Sequence, residues 1–110
     1  MTRTIESLPL HTIANPKSVA IFGASNRQTA MGTGVLSSIL QLGYEGAVYP
    51  VHPKEKTVLG LDAYKSVLDL PEVPDVAILI LPTTAVAEVL DDCGKKGIRR
   101  AIVVSGGFKE

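Results

Sequence analysis

Residues Ser18–Gly43 read SVAIFGASNRQTAMGTGVLSSILQLG. The β-branched run SVAIF predicts a short strand. It breaks at Gly23, passes through a polar loop with no large apolar side chain before Met31, and re-enters an apolar pattern behind Gly32 and Gly34. Val35, Leu36, Ile39 and Leu40 then recur at helical spacing as far as Gly43, a residue suited to the left-handed position that closes a helix. A strand, a glycine-bearing loop and a helix in this order let backbone N–H groups approach a ligand closely. The helix N-terminus adds roughly half a positive charge, so the combination favours a phosphate.

The rest of the chain repeats the alternation. AVYPV (47–51) predicts a second strand, cut off by HPKEK because Pro53 has no N–H for a ladder and biases His52 to an extended backbone. A connector with turns at LGLDAY and DLPEVP leads to DVAILIL (75–81), apolar on both faces, as in parallel strands covered by helices on each side. TTAVAEVLDDCGKKG (83–97) predicts a helix capped by Thr83 or Thr84, with Val86, Val89, Leu90 and Cys93 on one stripe and an end at Gly94 or Gly97. RRAIVVSGG (99–107) supplies a fourth strand. The expected fold is α/β: a Rossmann-like, doubly wound, mostly parallel sheet in three layers, forming a single domain. In such sheets ligands bind outside the carboxyl ends of the strands. The loops that matter are therefore GASNRQTAMG, HPKEK, LPTT and SGGFKE.

The whole chain agrees with this reading. Its 110 residues suit one domain, and 45% apolar with 20% charged residues is an ordinary globular composition. Eleven basic residues balance eleven acidic ones without a run of like charge, which gives no footprint for nucleic acid or an anionic membrane. No apolar stretch has a membrane span's length, and the charged, proline-bearing N-terminus is unlike a signal peptide, so a soluble cytoplasmic protein is expected. Cys93 is the only cysteine, which excludes an internal disulfide; it reads as a small buried helix residue. His11 and His52 lack ligand spacing, so no metal is expected.

Each loop then narrows the ligand. Gly23 and Gly32 lie nine apart, with Ser25, Asn26, Arg27, Gln28 and Thr29 between them, so this is not the dinucleotide fingerprint. Arg27 offers a planar fork suited to phosphate oxygens. A fold of this type that binds NAD places an acid at the end of its second strand, about 20 residues beyond the glycines, for the ribose 2′-OH. Here that place reads VHPK. Lys54 suits a phosphate on the ribose, either the 2′-phosphate of NADP or the 3′-phosphate of coenzyme A. Pro82 ends the third strand with a rigid φ, and Ser105, Gly106 and Gly107 are expected to line the cleft opposite the first loop.

The segments PKSVAIFGASNRQTAMGTGV, VYPVHPK, PDVAILILPTTAV and GKKGIRRAIVVSGGFKE together resemble the N-terminal CoA-binding domain of NDP-forming acyl-CoA synthetases, relatives of the succinyl-CoA synthetase α subunit. The resemblance runs from about Asn15 to Glu110. It implies a domain of residues 16–110 that binds coenzyme A, preceded by a segment 1–15 packing on it. It implies further that Ser25, Asn26, Arg27 and Gly32 lie around the nucleotide phosphates, that Lys54 meets the cofactor's charged end, and that Ser105 and Gly106 lie near the thiol arm. Gly23 and Pro82 complete the candidate cofactor-binding set. His52 stands where the family has asparagine.

In that family the net reaction converts acyl-CoA, nucleoside diphosphate and phosphate to acid, CoA and nucleoside triphosphate through a phosphorylated histidine on a following domain, with an ATP-grasp module for the nucleotide. Neither His11 nor His52 has the phosphohistidine context. The chain is therefore expected to be a piece of a larger ligase, binding without catalysing. The alternatives are the CoA-binding domain of a fused protein acetyltransferase, a stand-alone CoA-binding protein, and an NADP-binding oxidoreductase domain.

Overall fold

The computed structural model describes residues 16–27 and 31–104. The expected packing of segment 1–15, and Ser105 and Gly106, lie outside the described residues. Strand β1 (Ser18–Phe22), helix α1 (Met31–Gln41) and strand β2 (Ala47–Val51) form the first strand–helix–strand unit; β5 (Val76–Ile80), α2 (Thr83–Lys96) and β6 (Ala101–Val104) form the second. Between them lie a short hairpin, β3 (Thr57–Val58) and β4 (Leu61–Asp62), and a 3₁₀ turn at Val67–Asp69. None of the described helices is long and apolar enough to cross a membrane.

The sheet order is β2-β1-β5-β6, and every neighbouring pair is parallel. The crossover from β1 goes one way and the crossover from β5 goes the other. The strand order thus reverses between β1 and β5, which is where a crevice opens in a doubly wound sheet. This is the expected Rossmann-like architecture.

Strand alternation sends the apolar side chains to two cores. On one face Ile21 and Ile80 are buried with Leu36 of α1 and Val58 of the hairpin. On the other, Ala20, Phe22, Ala77 and Leu79 pack with Val67, Leu70, Cys93 and Ile98. Each fully buried aliphatic side chain contributes about 1.5–3 kcal/mol, so both helices are held by the strands beneath them rather than by their own propensity. Pro50 is accommodated because β2 pairs with β1 on only one side; its outer neighbour is a bridge through Tyr64, whose N–H donates to the Pro50 carbonyl at 3.0 Å.

Two local details differ from the sequence-based expectation. Helix α2 has Pro82 at its cap position, extended at φ −58° and ψ 149°, and no side-chain cap; Thr83 and Thr84 are its first helical residues. Its first turn closes through the Ala85 N–H onto the Pro82 carbonyl at 2.9 Å, so proline's fixed φ does the work expected of a threonine hydroxyl. The connector contains the hairpin, whose central residues Leu59 and Gly60 both have positive φ, 51° and 83°, the pattern of a type I′ turn. Gly97, at φ 101°, closes α2 as expected.

Candidate functional site

Gly23 follows the last residue of β1, at the point of strand reversal, with φ 98°. A Cβ there would overlap the Ile80 carbonyl oxygen, so only glycine lets β1 and β5 run this close before they part. Gly32 is nested against the same turn: a Cβ on it would overlap the Gly23 carbonyl. Its lack of a side chain therefore serves the packing of α1 on the strand end. Gly34, by contrast, would meet nothing within 4 Å.

The polar residues after Gly23 are tied into this frame. The Ser25 N–H donates to Thr33 Oγ1 at 3.0 Å, and the Thr33 hydroxyl donates back to the Ser25 carbonyl at 2.9 Å; Thr33 is only 3% exposed. Ser25 Oγ accepts the Arg27 N–H at 3.1 Å, which leaves its own proton for a ligand. Asn26 is committed elsewhere. Its Nδ2 donates to the Thr57 carbonyl at 2.9 Å and to Glu55 Oε2 at 3.3 Å, and its Oδ1 accepts the Leu59 N–H at 3.0 Å. Asn26 thus clamps the first loop to the β3–β4 hairpin. Arg27 is exposed, with no ion pair among the described residues.

The second loop is shaped by His52. Its Nδ1 accepts the N–H groups of Lys54 at 3.0 Å and Glu55 at 2.9 Å. An asparagine carbonyl commonly closes such a turn; here the imidazole does so, with Nδ1 as the acceptor. Lys54 projects from that turn into solvent, without an ion pair among the described residues. The nearest acid in sequence, Glu55, lies beyond the end of β2 and accepts from Asn26 through one oxygen at 3.3 Å, so the strand itself does not end in the acid that a ribose diol would need.

These loops border a cleft of about 330 Å³ at the carboxyl ends of β1, β2 and β5, running down the side of α2. Phe22, Val51, Val67, Leu81 and Val89 give it apolar walls; Ser25, His52, Lys65, Ser66 and Asp92 supply polar groups. Of the residues singled out from sequence, Gly23 and Ser25 line it. Asn26, Arg27, Gly32, Lys54 and Pro82 do not. Lys65, Ser66 and Asp92 carry no motif in sequence. They reach the cleft because the 3₁₀ turn and α2 meet beside it. Ser66 Oγ is partly spent, accepting the Leu68 N–H at 3.2 Å. Cys93 faces the core instead, where burial and the neighbouring Asp92 push its thiol up to about 11, so it is no nucleophile.

The apolar walls, polar rim and glycine turn fit a cofactor that combines flat apolar parts with phosphates. Residues 17–110 match the family model described as a CoA binding domain. The chain belongs to the CoA-binding domain family. Its sequence is 44% identical over 98 residues to an ADP-forming 4-hydroxybutyrate–CoA ligase of Nitrosopumilus maritimus, a match that covers 89% of this chain and 14% of that protein. Its fold superposes with a TM-score of 0.86 and 38% identity on an acetyl-coenzyme A synthetase of Korarchaeum cryptofilum in its apo form, covering 90% of this chain and 22% of the other. It also matches a hypothetical protein of Pyrococcus horikoshii with a TM-score of 0.76 and 27% identity, covering 96% of this chain and 86% of that one. The chain therefore spans about a seventh of the curated ligase and most of the smaller archaeal protein. The expected family, fold and coenzyme A affiliation agree with these matches.

Proposed function

We propose that the cleft holds coenzyme A and that the chain serves as the CoA-binding module of an NDP-forming acyl-CoA synthetase. The observation that carries this reading is the reversal of strand order at Gly23, which opens an apolar-walled cleft beside a turn ending in Lys54 rather than in a free acid. In this reading the Ser25 hydroxyl and the backbone around Gly23 face the diphosphate, and Lys54 supplies a cation for the 3′-phosphate from a turn that His52 keeps in shape. In the same reading Arg27 and Pro82 approach the cofactor from outside the cleft lining, and Ser105 and Gly106, assigned to the thiol arm, lie outside the described residues. Gly32 and Asn26 act by holding the loop rather than by contact.

The module's share of the reaction is to bind and orient the cofactor. A phosphohistidine domain and an ATP-grasp domain, in the same chain or a partner subunit, complete the ligase, and the assembly works in the cytoplasm. The match to 86% of the hypothetical archaeal protein favours a second reading, a stand-alone CoA-binding protein. A CoA-binding domain fused to a protein acetyltransferase shares the same site.

Calorimetric titration with CoA, dephospho-CoA, NADP and NAD tests the proposal. CoA is expected to bind best, and loss of the 3′-phosphate or Lys54→Ala is expected to weaken it by about 1–3 kcal/mol, as for a charge-assisted hydrogen bond. Preference for NADP, or indifference to Lys54, overturns it in favour of an oxidoreductase domain.

A further inference from the structure

Among the described residues that line the cleft, Asp92 is the only carboxylate. A negative group is out of place in the site of a polyanion unless it faces a part of the ligand that carries hydrogen-bond donors and no phosphate. Asp92 is half-buried on α2, one turn beyond Val89, which lines the same cleft. It has no hydrogen bond or ion pair among the described residues; the nearby ammonium of Lys95 pairs with Asp91 at 3.2 Å instead. An ionised carboxylate only accepts, so what it recognises must donate.

We propose that Asp92 selects the adenine base of coenzyme A by accepting a hydrogen bond from its exocyclic amine. This rests on the reading of the cleft as the CoA site. Three features favour the base over other donors. The walls formed by Phe22, Val51, Val67, Leu81 and Val89 suit a planar ring. The ribose hydroxyl of CoA lies next to the 3′-phosphate, which Asp92 repels. His52 and Pro53, just before Lys54 in sequence, also line the cleft; with the phosphorylated ribose held at Lys54, the base joined to that ribose falls within its reach. Asp92 therefore sets orientation as well as affinity, because a ligand entering with its phosphates toward α2 meets a like charge.

The test compares CoA with etheno-CoA, which keeps every phosphate and the pantetheine arm but closes the exocyclic nitrogen into a ring without a hydrogen. Binding of both is measured by calorimetry to the native protein and to Asp92→Ala, with a thermal melt confirming that the variant folds. The native protein is expected to prefer CoA roughly 10- to 150-fold, the range of one hydrogen bond to a charged group. The preference is expected to fall to near unity in Asp92→Ala. Equal binding of the two ligands by the native protein, or a preference that survives in Asp92→Ala, overturns this assignment while leaving the CoA site intact. Failure of CoA itself to bind overturns the proposed function and this assignment together.

Discussion

The Asn26 carboxamide oxygen accepts the Leu59 backbone N–H at 3.0 Å, joining the first loop to the tip of the β3–β4 hairpin across 33 residues of sequence. The same side chain donates to Thr57 and Glu55, so one residue fixes the spacing of the two loops that flank the cleft. Asn26→Ala removes all three bonds. It is expected to cost about 1–2 kcal/mol in urea unfolding. It should weaken dephospho-CoA and, to a larger degree, CoA, because the clamp also holds the loop that presents Lys54 to the 3′-phosphate. Unchanged affinity for both ligands would show that the clamp does not set the spacing of the loops.

His52 gives a second prediction. Its Nδ1 holds the Lys54 and Glu55 amides, an acceptor role that asparagine can also fill. His52→Asn is therefore expected to keep CoA affinity within a few-fold. His52→Ala should lower it about tenfold, equivalent to about 1.4 kcal/mol, because the turn that presents Lys54 is released. Equal loss in both variants would point to the imidazole ring itself.

The glycines of the first loop should separate under substitution. Gly23→Ala forces a Cβ against the Ile80 carbonyl at a positive φ and is expected to cost about 3 kcal/mol or more. Gly34→Ala places its Cβ in open space inside α1 and should raise stability by about 0.5–1 kcal/mol. Thermal melts of the two variants in parallel are sufficient to check the contrast.

Cys93 predicts a pH dependence. Burial, with Asp92 beside it, raises the folded-state thiol from 9.0 to about 11, so the folded protein holds this proton after the unfolded chain has lost it. The contribution is present below pH 9 and is lost as pH rises toward 11. Unfolding free energy should fall across that window, and less steeply in Cys93→Ala. A thiol reagent at neutral pH should react slowly with the folded chain and rapidly with the denatured one.

Much of this was legible in the sequence because the main elements carry strong periods. SVAIF, DVAILIL and the stripe Val86, Val89, Cys93 each name their partners by spacing alone. The β3–β4 hairpin escaped because two residues per strand are too few for alternation to register. Gly32 was visible as a glycine but not as a packing device, since its neighbour, the Gly23 carbonyl, is brought to it by the return of the chain. Lys65 and Asp92 were silent for the same reason: they belong to different elements that meet only in three dimensions. Thr83 and Thr84 misled because hydroxyls before a helix usually cap it, and here the preceding proline had already set the entry angle.

Strand β6 carries a practical consequence. It pairs with β5 on one side, all four of its residues are exposed, and Ile102, Val103 and Val104 are each about 40% accessible. A greasy ribbon with one flank unoccupied among the described residues invites another ribbon to zip onto it. Residues 1–110 taken alone are expected to self-associate along that border at high concentration, and Val103→Lys is expected to keep them monodisperse.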